Sequence, residues 1–248
     1  MSQAHEVLER ARNARLAGKY EDALRDHLWF HEHALEADPS LAGVRLSFAL
    51  RDWIYLAEQF PLARRALQAI RDRDAQRILS GGATPARFHD VCAINSALGE
   101  ERATHDLFTQ LDTKLPELAR DCADLALPAL VAVEDFPLAR RYLPDPVGRI
   151  AAMAKRVNDF AEDLAKRGST SSAPQLLAFV LNYTKEVRLV VEVFRRLGED
   201  EEVAKASAAA LDSLKSEALR DAVQREFDTP GSTIAAMVAH AKGSDDKQ

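Results

Sequence analysis

The chain has 248 residues, 47% of them apolar and only 6% aromatic, and its 33 Lys and Arg against 39 Asp and Glu give a formal net charge of −6. A nucleic-acid backbone demands a concentrated positive surface, so this balance argues against nucleic acid as the main partner. No apolar run approaches the roughly 20 residues of a membrane span.

His5, Glu6, Glu9 and Arg10 at the amino terminus leave no room for the apolar stretch of a secretory leader. Cys92 and Cys122 read as reduced, buried thiols, so the expectation is a cytoplasmic protein. Ala and Leu dominate while Gly and Pro number 10 each, which favours helix over sheet and predicts an all-α fold.

Apolar spacing predicts a first helix from about Gln3 to Ala17, closed by Gly18, and a second from Tyr20 to Ala37, stopped at Asp38-Pro39 because the residue before a proline avoids the α region. A third helix is expected from Ser40 to Gln59, and a fourth from Pro61 to Ile78 ahead of Ser80-Gly81-Gly82-Ala83. Thr84-Pro85 caps a fifth, Gly99 turns it into a sixth, and a seventh begins near Pro116 with Pro128 placed to kink it.

Glu134-Asp135-Phe136-Pro137-Leu138-Ala139-Arg140-Arg141 then repeats Glu58-Gln59-Phe60-Pro61-Leu62-Ala63-Arg64-Arg65 at seven of eight positions. The small residue after each turn falls at Ala23, Ala63, Ala103 and Ala139, spaced by 40, 40 and 36, which is a helical-hairpin period. Gly18, Tyr20 and Ala23 followed by Ala34 and Pro39, with echoes at Phe60/Ala63 and Gly99/Ala103, make the chain resemble tetratricopeptide-repeat proteins. The resemblance implies a right-handed α-α superhelix of antiparallel hairpins over about residues 3–143. It also implies a concave protein- or peptide-binding surface formed mostly by the first helix of each hairpin. The period is longer than the family's roughly 34 residues, so the repeats would be lengthened and divergent.

Pro144-Asp145-Pro146 is the predicted domain boundary, since two prolines interrupt any helix there. Beyond it, residues 144–242 read as a helical region that caps or continues the solenoid. Its helices are expected over 147–166, from Pro174 to Leu197, and over 200–209, 212–227 and 232–242, with a loop at Gly168–Ser172 and a disordered tail over 243–248.

Several side-chain groupings could carry chemistry. His27 and His31, four apart, share a helix face as two imidazole ligands would, but no third ligand is identifiable, so no metal is assigned. His89 could adjoin Cys92 and form a thiolate pair, yet Cys92 falls on the apolar stripe with Phe88 and Leu98. Gly81-Gly82 lacks the spacing of a phosphate loop, and no cofactor is expected. Arg64, Arg65, Arg71, Arg73 and Arg77 with Asp72 and Asp74 read as a solvated helix face laced with ion pairs. Trp29, Trp53 and Tyr55 are candidates for interface aromatics.

The leading expectation is therefore a non-enzymatic adaptor that binds a protein or peptide along helices near 7–17, 44–56 and 88–98, through Arg12, Arg15, Arg45, Arg51, Trp53 and Tyr55. One alternative is an inhibitor or immunity-type protein that binds a basic partner through segment 81–145, which holds 11 acidic and 6 basic residues. The other is a metal- or Cys-dependent enzyme built on His27/His31 or on Cys92 with His89.

Overall fold

The computed structural model describes residues 3–167 and 173–237, and among these every regular element is helical. The chain divides into two compact units, one up to Val133 and one from Glu134. In the first unit α1 (Gln3–Leu16) pairs with α2 (Tyr20–Ala37), α4 (Phe48–Ala57) with α5 (Pro61–Arg77), and α6 (Pro85–Leu98) with α7 (Glu101–Lys114). A short α3 (Ala42–Arg45) precedes α4, and α8 (Pro116–Ala132) packs on α6 and α7. Each element touches its immediate neighbours, the arrangement of a solenoid-like stack of hairpins.

The turns explain this regularity. Gly18 and Gly99 stand at φ 72° and 73°, a region open to glycine at no steric cost. At the first, Lys19 N–H donates to Ala14 O at 2.9 Å and Gly18 N–H to Arg15 O at 3.0 Å; at the second, Glu100 N–H donates to Asn95 O at 2.8 Å and Gly99 N–H to Ser96 O at 3.2 Å. This double closure satisfies carbonyls that a helix end leaves open. The α4/α5 turn has no glycine, and Pro61 instead fixes the first residue of α5.

Beneath the turns Ala23, Leu50, Trp53, Leu56, Ala63 and Leu67 form a continuous apolar layer. Trp53 Nε1 donates to Ala63 O at 2.9 Å and so ties α4 to α5. A second cluster, including Val7, Phe30, Ala34 and Leu41, closes the α1/α2 end.

In the second unit α9 (Phe136–Arg141), α10 (Pro146–Arg167), α12 (Asp200–Asp212) and α13 (Glu217–Asp228) all pack on the central α11 (Ala173–Arg196). The same glycine turn recurs: Gly198 has φ 73° and Glu199 N–H donates to Phe194 O at 2.9 Å. Tyr183 Oη donates to Ala210 O at 2.7 Å, and Asn158 Nδ2 donates to Ser213 O at 2.9 Å while its Oδ1 accepts from Lys215 N–H at 3.0 Å. Glu226, 1% exposed, accepts the amides of Gly231 at 2.9 Å and Thr233 at 2.8 Å and the Ser232 hydroxyl at 3.1 Å, capping a helical stretch over 232–237. Burial alone would raise its pKa, but these donors outweigh burial and hold it down at about 2.

Two helix expectations need correction. The predicted third helix is broken at Leu46-Ser47, where Ser47 adopts φ −131°, ψ −85° and its hydroxyl donates back to Gly43 O at 2.6 Å. Separately, the two compact units divide between Val133 and Glu134, ten residues before Pro144: α9 packs on α11, Arg140 pairs with Glu199 at 3.0 Å and Arg196 with Glu134 at 3.0 Å. Prolines end helices, but packing decides where a unit ends. α12 runs on to Asp212, past the expected end at 209, and Pro128 lies inside α8. The expected loop at Gly168–Ser172, the last part of helix 232–242 and the tail over 243–248 lie outside the described residues.

Gly99→Ala and Gly198→Ala each place a Cβ at positive φ and are expected to lower unfolding free energy by about 1–2 kcal/mol in urea titration. Glu134, already at φ 64° without being glycine, should tolerate Glu134→Gly with no loss. Equal effects at all three positions would sink this account of the turns. Replacing the buried carboxylate by Glu226→Gln is expected to cost about 1–3 kcal/mol, read as a lower midpoint in the same titration.

Candidate partner-binding groove

The candidate surface is built from α1, α4 and α6. On α4, Phe48, Arg51 and Tyr55 follow at i, i+3 and i+7 and share one face. Phe48 and Tyr55 are 54% and 42% exposed, unusual for residues of their size in this chain. The Arg51 guanidinium lies over the Phe48 ring at 4.9 Å and the Arg15 guanidinium over the Tyr55 ring at 5.7 Å, within reach of cation–π attraction. Arg12 Nη2 donates to Asp52 Oδ2 at 2.7 Å. The structure thus brings Arg12, Arg15, Arg51 and Tyr55 together.

Beside this strip a groove of about 320 Å³ runs between α4 and α6. Leu46, Leu50 and Ile54 form one wall, and Ala93, Ser96 and Ala97 the other, with Ser47 and Arg51 at the rim. The small residues of α6 leave the space. Arg51 makes no ion pair among the described residues; Arg12 is committed to Asp52, a carboxylate only 4% exposed.

Two predicted contact residues lie elsewhere. Trp53 is 1% exposed, its indole N–H is taken by Ala63, and its ring stacks on His27 at 5.4 Å and meets the edge of His31 at 6.1 Å. It is a core residue, because the face of α4 opposite Phe48 and Arg51 points at α2 and α5. Arg45 is buried too: Nε donates to His31 O at 2.7 Å, and Nη1 and Nη2 donate to Asp90 Oδ1 and Oδ2 at 2.8 and 2.9 Å. The break at Leu46-Ser47 takes it out of register with Arg51 and Tyr55.

The other candidate chemistries are placed as follows. Burial pushes the Cys92 thiol up to about 12 and the Cys122 thiol up to about 11, so both stay protonated at neutral pH. His89 is exposed whereas Cys92 is buried. His27 and His31 are both buried, and among the described residues no group of three or more His, Cys, Asp and Glu side chains is arranged to hold a metal ion. Of the arginines of α5, Arg71 is engaged, donating to Asn95 Oδ1 and to Glu100, both at 2.6 Å, whereas Arg77 makes a single bond to Asp74 at 3.2 Å. In the acidic segment, Asp106 pairs with Arg102 at 3.3 Å and Glu117 with Arg120, so part of its charge is neutralised locally.

Among the described residues no helix is long and apolar enough to cross a membrane. Comparison with protein-family models, curated proteins and solved structures found no match for this chain. The groove therefore has to be understood from its own geometry. The sequence reading missed Phe48 and the Ala93/Ser96/Ala97 wall; a small-residue triplet at i, i+3, i+4 on a helix otherwise lined by Phe88, Val91 and Ile94 was the available signal.

Beneath the groove, burial drives the pKa of His27 down to about 4, reinforced by Arg15 and opposed by Asp52 and Asp26; burial drives His31 down to about 4 as well, helped by the Arg45 guanidinium beside it. Both imidazoles are neutral in the folded chain, while the unfolded chain takes up protons near 6.5. Stability is therefore complete above pH 6.5 and falls with acidification towards pH 4 by about 1.4 kcal/mol per pH unit for each histidine. Urea midpoints measured from pH 7.5 to 4 should show this slope, and His27→Leu should shed about half of it. An unchanged slope in that variant would remove His27 from the explanation.

Proposed function

We propose that this chain is a non-enzymatic helical-repeat protein of tetratricopeptide-like organisation, acting in the cytoplasm, that holds an extended segment of a protein partner in the groove between α4 and α6. The observation that carries the reading is the conjunction of an apolar groove wall, two exposed aromatics on the adjoining strip and an arginine that makes no ion pair among the described residues. The half-buried Leu46 and Ile54 offer area to an apolar side chain, about 25 cal/mol per Å² buried. Arg51 can then take a carboxylate with its fork of donors. Exposed aromatic and arginine residues around a partly filled apolar slot are the composition of binding hot spots. The segment that fits carries an apolar side chain next to an acidic one.

The reading involves no cofactor. The buried, protonated thiols supply no nucleophile, and the imidazoles of His27 and His31 face the core.

Panning a displayed random-peptide library against the full chain should enrich sequences that pair an apolar residue with Asp or Glu. Arg51→Ala and Tyr55→Ala should each weaken a selected peptide by about tenfold or more, as expected for hot-spot residues, while Arg102→Ala on α7 leaves it unchanged. Enrichment without a consensus, or full affinity in both variants, would overturn the groove assignment.

A further inference from the structure

A second cleft, of about 340 Å³, opens where α2, α3, α5 and the first turn of α6 meet, and it shares no residue with the groove. Its inner wall is the saturated cluster already described, in which Arg45 spends its donors on Asp90 and on His31, including a 3.1 Å contact between Nη2 and His31 Nε2. That wall contributes no net charge. The outer walls differ. Arg73 and Arg77 project from one face of α5, four residues apart, and Arg87 projects from α6.

The carboxylates of this cleft orient those arginines without exhausting them. Asp74 Oδ1 accepts from Arg73 Nε at 3.4 Å and from Arg77 Nη1 at 3.2 Å, and Glu32 approaches Arg73 at 3.8 Å. Arg87 Nη1 donates to the Gly82 carbonyl. A guanidinium carries five donors, so Arg77 and Arg87 each have most of theirs still to place. Four guanidinium groups face three carboxylates, which leaves the cleft positive.

Two backbone features complete it. The end of α5 passes into a tight turn over Ile78–Gly82, in which Gly81 stands at φ 101°. A Cβ on Gly82 would lie 3.0 Å from the Arg77 carbonyl, a tight backbone contact that favours glycine beside the Arg87 guanidinium. At the start of α6, Thr84 Oγ1 accepts the Arg87 amide at 3.2 Å. The amide of Ala86, which lines the cleft, is a first-turn donor with no carbonyl behind it.

The geometry points to a binding site for a phosphate group, as free phosphate or as a small phosphate monoester. Arg77 and Arg87 would each take two of its oxygens in the forked arrangement that guanidinium makes with phosphate, Arg73 would supply a third cation, and the Ala86 amide with the positive end of α6 would take a fourth contact. Gly81-Gly82 is no phosphate loop by spacing; its part is to seat an arginine.

Isothermal titration of the full chain with inorganic phosphate, with glycerol 3-phosphate and with sodium chloride at matched ionic strength tests the assignment. A saturable one-to-one heat with either phosphate and none with chloride is expected. Tighter binding of glycerol 3-phosphate identifies a monoester ligand, and tighter binding of inorganic phosphate identifies the free anion. Arg77→Ala and Arg87→Ala should each weaken binding by about tenfold or more, the loss expected for a charged hydrogen bond, and Arg77→Lys, which keeps the charge but not the fork, should fall between. Arg51→Ala should bind phosphate as the native chain does, which separates this cleft from the groove. Heat that never saturates, or native affinity retained in Arg77→Ala and Arg87→Ala, overturns the site; circular dichroism of each variant confirms that its helices are intact.

Discussion

The structure depends on a backbone constraint at the hairpin turns. At Gly18, Gly99 and Gly198 the chain leaves a helix through a left-handed residue, and the amide after it reaches back to the carbonyl five positions earlier. Once φ is positive there, the exit direction of the chain is fixed, and so is the line along which the next helix must run. The residue after the glycine is then placed reproducibly. Glu100 receives Arg71 at 2.6 Å, and Glu199 receives Arg140 at 3.0 Å, although the first pair is separated by 29 residues and the second by 59. One local solution thus organises junctions in both units, closing the α1/α2 and α6/α7 hairpins in the first and the α11/α12 junction in the second.

Polar contacts then decide which helix meets which. Asp26, Asp52 and Asp90 each sit against an arginine from another helix, namely Arg10 at 2.6 Å, Arg12 at 2.7 Å and Arg45 at 2.8 Å. Apolar layers rich in Ala and Leu tolerate sliding, because one methyl stripe resembles another. An ion pair that reaches a buried carboxylate does not, since a shift of one turn leaves the charge without a partner at a cost of several kcal/mol. These pairs specify register more than they add stability. They also explain why an arginine count overstates the cationic surface: Arg12 and Arg45 are spent inside the fold, while Arg51, Arg77 and Arg87 retain donors at its clefts.

Much of this was legible in the sequence. Gly18 and Gly99 marked turns, Pro61 and Pro116 marked helix starts, and the Phe-Pro-Leu-Ala-Arg-Arg copies mark equivalent helix starts, with Ala63 and Ala139 both fully buried. The break at Leu46-Ser47 was not, because nothing in Val44-Arg45-Leu46-Ser47-Phe48 forbids helix; it accompanies a contact from Arg45 to Asp90, 45 residues away, that local sequence does not reveal. The same long-range contact removed Arg45 from the candidate site. Trp53 was misplaced for a related reason: periodicity shows that residues share a face but not which face is covered. Arg51 and Tyr55 share a face because they lie four apart on one helix, whereas the second wall of the groove belongs to another helix and is set by the small side chains of Ala93, Ser96 and Ala97.

The interior position of Trp53 has an optical consequence. The chain contains two tryptophans, Trp29 and Trp53, and both belong to the first unit, whereas helices fill both units. Indole emission excited at the red edge is therefore a private signal of the first unit, and far-ultraviolet ellipticity is a shared one. Recorded on the same sample, the two denaturation curves superimpose only when both units melt in a single cooperative step; any gap between them measures how independently the second unit stands.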